Sequence, residues 1–287
     1  MFSRHMLAIL QEAETTASSG GSVADTLAVL RQLSLDDFAT VIYSLPVGDY
    51  PSLSRVMPPM SSVETQKRWT GASGPNLVAS TSWFGRLAAD AYMNATGRSL
   101  AGRSILDLGC GYGRMIRLFY YYTDPQDIMG VDPWQVSIDE CLKSDLPSTI
   151  RKSDILPETL PTGGRRFDLV FSFSVATHLD MLGTTTLLRA LRTAVADDGV
   201  AIVTIRPVEF WAWREKSSGR AGSQFIEAHE RDGYAFDLMG RKPEEHYGDS
   251  SFDLNFFRNL PGWRYVGYDR SKVDALQVAV ILKPISS

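Results

Sequence analysis

The stretch Ile105-Leu106-Asp107-Leu108-Gly109-Cys110-Gly111-Tyr112-Gly113-Arg114 runs a short apolar segment into three alternate glycines, with one acidic residue just ahead of them. Glycine accepts positive φ and lets a ligand approach the backbone closely. Where a strand turns into a helix, such a loop puts a small molecule at the carboxyl edge of a sheet. The plain alternative is a tight turn whose glycines only let helix pack on strand. The pattern is G-x-G-x-G, not the G-x-G-x-x-G that seats a pyrophosphate on a helix amino terminus. Asp107 suits a ligand with a cationic ammonium better than one with a pyrophosphate. A second acid, Asp132, ends the apolar run Ile128-Met129-Gly130-Val131, where a carboxylate can accept both hydroxyls of a ribose. Standing before Pro133, it also suits a helix cap. Asp154, after a weaker third run, is placed to accept from an adenine amino group or to sit in an ordinary turn.

These residues need a frame, and the chain around them supplies one. From Arg103 onward strands alternate with helices. Strands are expected at Ser104–Leu108, Ile128–Val131, Ser148–Lys152, Phe167–Phe173 and Val200–Ile205, and helices at Arg114–Tyr122, Val136–Leu142 and Thr184–Ala196. That alternation implies a parallel sheet with helices on both faces and right-handed crossovers. After a short helix over Phe252–Asn259, Trp263–Tyr268 and Leu276–Leu282 read as two strands with little chain between them. They must pair antiparallel, because a parallel crossover needs a dozen or more residues. Ahead of the core, residues 1–44 read as two or three amphipathic helices with Leu27, Leu30, Leu33, Phe38, Val41 and Ile42 inward. Pro46, Pro51, Pro58, Pro59 and Pro75 then exclude long helices, so ordered irregular chain is expected up to a helix over Val78–Ala95. Roughly forty residues separate the fifth strand from the closing hairpin, too many for a plain connection. Phe210, Trp211, Trp213, Phe225, Tyr234 and Phe236 crowd into them, which predicts a structured insertion over about 208–250 that walls a substrate site. The expected division is a helical and irregular extension over 1–100 and the main domain over 101–287.

Bulk properties narrow the classes. The chain has 287 residues, 44% of them hydrophobic and 22% charged, with a net charge of −4. That is ordinary for a soluble globular protein and gives no basic footprint for nucleic acid. Two cysteines, Cys110 and Cys141, make no disulfide framework. Met1–Leu10 is too short and too interrupted for a signal peptide, and no apolar run approaches the ~18–20 residues of a membrane span. A cytoplasmic protein is the expectation.

The strand followed by Asp107-Leu108-Gly109-Cys110-Gly111-Tyr112-Gly113, then Gly130-Val131-Asp132, Ser153-Asp154 and Phe167-Asp168-Leu169-Val170-Phe171-Ser172, resembles the successive motifs of class I S-adenosylmethionine-dependent methyltransferases. The closing hairpin resembles that family's reversed seventh strand, inserted antiparallel between the fifth and sixth. The resemblance covers about Arg103–Pro207 and Ser251–Pro284. It implies a doubly wound α/β fold with a mostly parallel seven-stranded sheet, an antiparallel C-terminal strand and an N-terminal helical extension. It also implies S-adenosyl-L-methionine as cofactor. On it, Asp107 and Gly109, Cys110, Gly111 and Gly113 border the methionine end, Asp132 with Pro133 the ribose, and Asp154 with Ile155 the adenine. Trp134 and Ile155 are apolar covers for the purine, and Phe173 closes the fourth strand beside the same ligand. Arg68 and Trp69, in the segment Gln66–Gly74, could close over the cofactor or contact the acceptor; otherwise they anchor a linker.

A sulfonium methyl is already activated, so alignment of the acceptor is the main demand on the protein. A hydroxyl acceptor also has to lose its proton, which points to a nearby histidine or carboxylate. The chain has four histidines. His178 follows the fourth strand, on the edge an acceptor should face, and His246 lies in the insertion; both are candidate bases, against capping or core roles. His229, between Glu227 and Glu230, reads as part of a solvated helix face. No histidines stand at metal-ligand spacing, so no metal is expected. Cys110 reads as a small buried residue, not a nucleophile. Arg55–Met60 and His246-Tyr247-Gly248-Asp249 are loosely similar to a bacterial methyltransferase subgroup associated with surface-glycan synthesis. That similarity implies a sugar or small-molecule acceptor methylated on a hydroxyl oxygen. The other readings are a nucleotide-dependent oxidoreductase and a non-catalytic cofactor-binding module.

Overall fold

The computed structural model describes residues 2–285. In chain order the elements are α1 (Arg4–Ser18), α2 (Val23–Leu30), α3 (Leu35–Ser44), α4 (Pro51–Val56), α5 (Val63–Thr70), α6 (Pro75–Thr96), β1 (Ile105–Leu108), α7 (Arg114–Phe119), β2 (Ile128–Asp132), α8 (Gln135–Lys143), β3 (Thr149–Lys152), β4 (Phe167–Ser172), α9 (Met181–Ala194), β5 (Val195–Ile205), α10 (Glu209–Ser218), α11 (Ser223–Asp232), β6 (Tyr234–Asp237), β7 (Asp249–Phe252), α12 (Leu254–Arg258), β8 (Trp263–Arg270) and β9 (Val278–Pro284). Seven strands form one sheet in the order β3-β2-β1-β4-β5-β9-β8, and β6 pairs with β7 in a separate hairpin. The fold is therefore the mostly parallel α/β sheet, ringed by helices, that the strand–helix alternation requires.

The chain divides into two compact units. One contains α1–α5, most of α6, and α7, β2, α8 and β3. Its helices start on built caps: Ser22 and Asp25 form a reciprocal capping box on α2, and Ser34 accepts from Asp37 N–H on α3. Between Pro46 and Pro75 the chain is not irregular as expected, but folds into the short helices α4 and α5. Pro51 opens α4, where a missing N–H costs nothing. The carboxylate of Glu14 accepts from Ser52 and Leu53 N–H at 2.9 and 2.7 Å, closing that helix start from another element. Ser62 caps α5 and Gly71 ends it. Arg31 ties this layer to the end of α7 through Tyr120 O, Thr123 O and Asp124. Tyr43 OH donates to Arg114 O at 2.8 Å. Strands β2 and β3 run parallel, with Gly130 opposite Ile150.

The other unit contains the end of α6, β1, and everything from β4 onward. Strand β1 is buried at all four positions and pairs parallel with β4, which pairs parallel with β5. Continuous burial along such strands reflects apolar runs covered on both faces. β9 lies antiparallel between β5 and β8, as the short linker between the last two strands demands. β8 buries few of its residues, as suits the edge of a sheet. β5 begins at Val195, ahead of the expected Val200, because Val195 already pairs with Phe167. Likewise α9 starts at Met181, set by the cap that Asp180 provides to Gly183 N–H. Phe252 belongs to β7, and Asp253 then caps the short α12. Helices α10 and α11 pack through Phe210 and Trp211 with Phe225 and Ile226, so the stretch between β5 and β8 has a small core of its own.

Candidate functional site

Strand β1 ends at Leu108, and the backbone then turns through Gly109, Gly111 and Gly113, each at positive φ. A side chain at Gly109 (φ 84°) would lie 2.2 Å from Val175 Cγ2; one at Gly113 (φ 77°) would lie 2.3 Å from Leu146 Cδ1. Both steric room and backbone conformation therefore require glycine at these two positions. Arg117, fully buried on α7, fixes the turn from behind. Its Nη1 donates to Tyr112 O and Gly113 O, and its Nη2 to Pro59 O and Ser144 Oγ. Those bonds turn two carbonyls of the loop inward. Cys110 and Cys141 are buried free thiols, and the Cys141 thiol donates to Gly111 O at 3.2 Å. Asp107 is buried within β1.

Asp132 lies at the end of β2 with both carboxylate oxygens on backbone donors. Oδ2 accepts Gly111 N–H and Oδ1 accepts Trp134 N–H, each at 2.9 Å. Burial raises its pKa above the ordinary carboxylate range, outweighing those two donors and the Ser137 hydroxyl. A carboxylate has about four acceptor sites, so capacity remains beyond these donors and a vicinal diol is a chemically suitable partner. Next to it Trp134 is 42% exposed, unusual for a large apolar ring. Trp69, at the end of α5, packs edge-on against both Trp134 and Tyr112, with ring centroids 6.3 and 6.0 Å apart. It also covers Gly111, where an added Cβ would meet its ring at 3.3 Å. Arg68 is exposed, and Pro133 is partly so. Asp154 and Ile155 lie just beyond β3 and both are exposed, Ile155 by 54%.

In the other unit, β4 runs through the half-buried Phe173 into Ser174, which takes a left-handed backbone (φ 59°) and donates its N–H to Thr204 Oγ1 at 2.7 Å. Such strain in a non-glycine residue is characteristic of functional sites. The chain after it, residues 176–180, is strapped to the insertion. Gly248 N–H donates to His178 O, Ser250 N–H to Thr177 O, and Asp180 N–H to His246 O. His178 and His246, some seventy residues apart in sequence, thus border one strap. His178 Nδ1 lies 2.8 Å from Gly248 O, so it carries the proton there, and its Nε2 is 3.4 Å from Arg206 Nη2. Its ring stacks on Tyr247 at 5.1 Å. Arg206 pairs with Asp249, and Arg214 pairs with Asp237 at 2.6 Å and lies 3.5 Å from Asp249. Burial would raise the Asp249 carboxyl, but His178 and the Arg206 guanidinium hold it down at about 2. His246 Nδ1 lies 2.7 Å from Asp180 Oδ2.

His229 departs from the sequence expectation. It is 7% exposed, not solvated, and its Nδ1 lies 2.8 Å from Ser251 Oγ, which also accepts from Trp211 Nε1. Burial lowers its pKa, against the opposing pull of nearby carboxylates. The flanking glutamates conceal this, because the partners Ser251 and Trp211 come from other elements. Sequence reasoning also passed over Arg117, Asp180 and Arg206. Of these only Asp180 left a local trace, as an acidic residue opening a helical run. Among the described residues no cluster of histidine, cysteine and carboxylate could hold a metal ion, and no helix is long and apolar enough to cross a membrane.

Residues 105–199 match the family model described as "Methyltransferase domain". No curated protein matches the chain. Among solved structures the fold is similar to Streptomyces venezuelae DesVI, at 15% identity and TM-score 0.50, over 79% of this chain and 99% of that one. PH0226 protein from Pyrococcus horikoshii OT3 aligns over 71% of this chain and 92% of its own, at 12% identity and TM-score 0.49. Magnesium protoporphyrin IX methyltransferase from Synechocystis, solved with bound SAH, aligns over 76% and 91%, at 15% identity and TM-score 0.47. The matched segment runs from β1 through α9, and this part of the chain is a methyltransferase domain.

Proposed function

We propose that the chain methylates a hydroxyl oxygen of a small polar acceptor, with a sugar as the first candidate. Bound S-adenosylmethionine supplies an electrophilic methyl group on a sulfonium. The residues of this chain fit that ligand: Asp132 retains acceptor capacity beside the exposed Trp134, and every second residue of the turn is a glycine at positive φ. In this reading Asp132 and Pro133 orient the ribose, and Asp154 accepts from the adenine amino group. Trp134 and Ile155 cover the purine, and Phe173 lies beside the same ligand. Asp107, Gly109, Cys110, Gly111 and Gly113 border the amino-acid end, and Trp69 with Arg68 closes over the turn.

The observation that carries the choice of acceptor is the strap after β4. There two half-buried imidazoles, His178 and His246, each have the Nδ1 edge already engaged by an acceptor. An ordered imidazole is what a hydroxyl acceptor needs and a neutral amine does not. The surrounding Arg206, Asp249, Tyr247 and Asp180 make this a polar wall, suited to a hydroxyl-rich molecule. Among the similar structures are a glycopeptide N-methyltransferase and a sugar N-methyltransferase, so nitrogen is the competing acceptor atom. The test is methyl incorporation from labelled S-adenosylmethionine across paired sugars that differ only in carrying a hydroxyl or an amine. Product on hydroxyl sugars is the expected result. Product only on amines would overturn the oxygen assignment, and saturable cofactor binding with no product on either would favour a binding module.

A further inference from the structure

We infer that Asp180 is a positioning residue that makes His246, rather than His178, the general base; this rests on the hydroxyl-acceptor reading above. The two carboxylate oxygens of Asp180 have separate tasks. Oδ1 accepts Gly183 N–H at 2.7 Å and caps α9, so the carboxylate direction is set by a fourteen-residue helix. Oδ2 meets His246 Nδ1, also at 2.7 Å. The same two residues are joined again through the backbone, where Asp180 N–H donates to His246 O at 3.2 Å. His246 holds a left-handed backbone (φ 52°), and its own N–H donates to Pro243 O. Ring and backbone are thus fixed together, an arrangement that a merely solvated loop histidine does not need.

The chemistry follows from what each atom can do. A carboxylate only accepts, so His246 Nδ1 carries the proton, and in the neutral ring Nε2 presents its lone pair. His178 is the contrast. Its Nδ1–H is given to Gly248 O, and its Nε2 faces the Arg206 guanidinium, which donates to that lone pair. His246 Nε2 therefore takes the acceptor hydroxyl proton as the oxygen bonds to the methyl carbon. The carbon–sulfur bond breaks with its electron pair going to sulfur, leaving a neutral thioether, and the imidazolium later returns the proton to solvent. Asp180 orients the ring and stabilises its transient charge, as the carboxylate of a Ser-His-Asp triad does.

The test uses the full chain labelled with nitrogen-15 histidine, in which four histidines are resolved with His246→Gln as the assignment variant. Asp180→Ser keeps a good helix cap but cannot reach the ring, and Asp180→Asn serves where the serine variant does not fold. The wild type should show His246 as the neutral Nδ1–H tautomer, and the substitution should abolish that preference. An Nε2–H tautomer in the wild type, or one unchanged by the substitution, would overturn the pairing. On any hydroxyl acceptor found, Asp180→Ser should lower kcat by about 10²–10⁴-fold with KM and S-adenosylhomocysteine affinity unchanged. His178→Gln should be far milder. Equal losses for the two histidines, or full activity without Asp180, would sink the assignment. Absence of any hydroxyl acceptor would defeat the functional reading alone, since the tautomer measurement needs no acceptor.

Discussion

Asp132 and Asp249 are the same residue type at nearly the same burial, 5% and 6% exposed, yet their carboxyls move in opposite directions. Asp132 is held by neutral backbone amides, which do not offset the loss of water, so its pKa rises. Asp249 lies against His178 and the Arg206 guanidinium, which more than offset its loss of water, and its carboxyl drops to about 2. Burial alone therefore does not set the state of a buried acid; the formal charge of its donors does. The functional difference follows. In the proposed function Asp132 accepts from a polar ligand that brings further hydrogen-bond donors. Asp249 is already engaged by Arg206 and lies 3.5 Å from Arg214, so its charge is matched within the protein.

The largest effect is expected at Asp249. Asp249→Asn should destabilise the protein by about 3–5 kcal/mol in chemical denaturation, because it leaves Arg206 and Arg214 buried without that carboxylate. A loss under ~1 kcal/mol would mean the network is dispensable. The same group sets an acid limb. Its folded pKa of about 2 lies below the ordinary 3.8, so its stabilisation is complete above pH 3.8 and is lost as pH falls toward 2. The asparagine variant should lack that limb, seen as a flatter stability profile over this window. Next in size is Gly109→Ala, which meets Val175 at positive φ and should cost roughly 1–3 kcal/mol of stability. Asp132→Ala acts instead on binding, lowering S-adenosylhomocysteine affinity by about 1–3 kcal/mol in calorimetry with the fold intact. Unchanged affinity would remove Asp132 from the site. Smallest is Trp134→Ala, with about 0.5–1.5 kcal/mol of affinity lost as ring stacking disappears.

How much was legible in the sequence follows the range of the interactions involved. The glycine turn and Asp132 are short-range signals, each ending an apolar run, and the structure puts them at the ends of β1 and β2. The reversed β9 was readable because too little chain precedes it for a crossover. The helices α4 and α5 were hidden, since prolines that forbid long helices also start short ones, and Glu14 caps α4 from far along the chain. Burial of His229, the Arg206–Asp249 pair and the grip of Arg117 on the turn all join residues from separate elements. No periodicity records such pairings. Asp180 was within reach as a helix cap, but its partner His246 was not.

Calorimetric titration of the full chain with S-adenosylmethionine, S-adenosylhomocysteine and NAD in parallel tests cofactor use most directly. Saturable binding of both adenosyl ligands, weakened by Asp132→Ala, with none for NAD, is the result predicted here. Binding of NAD alone, or of none of the three, would contradict it and leave an α/β domain whose ligand has still to be found.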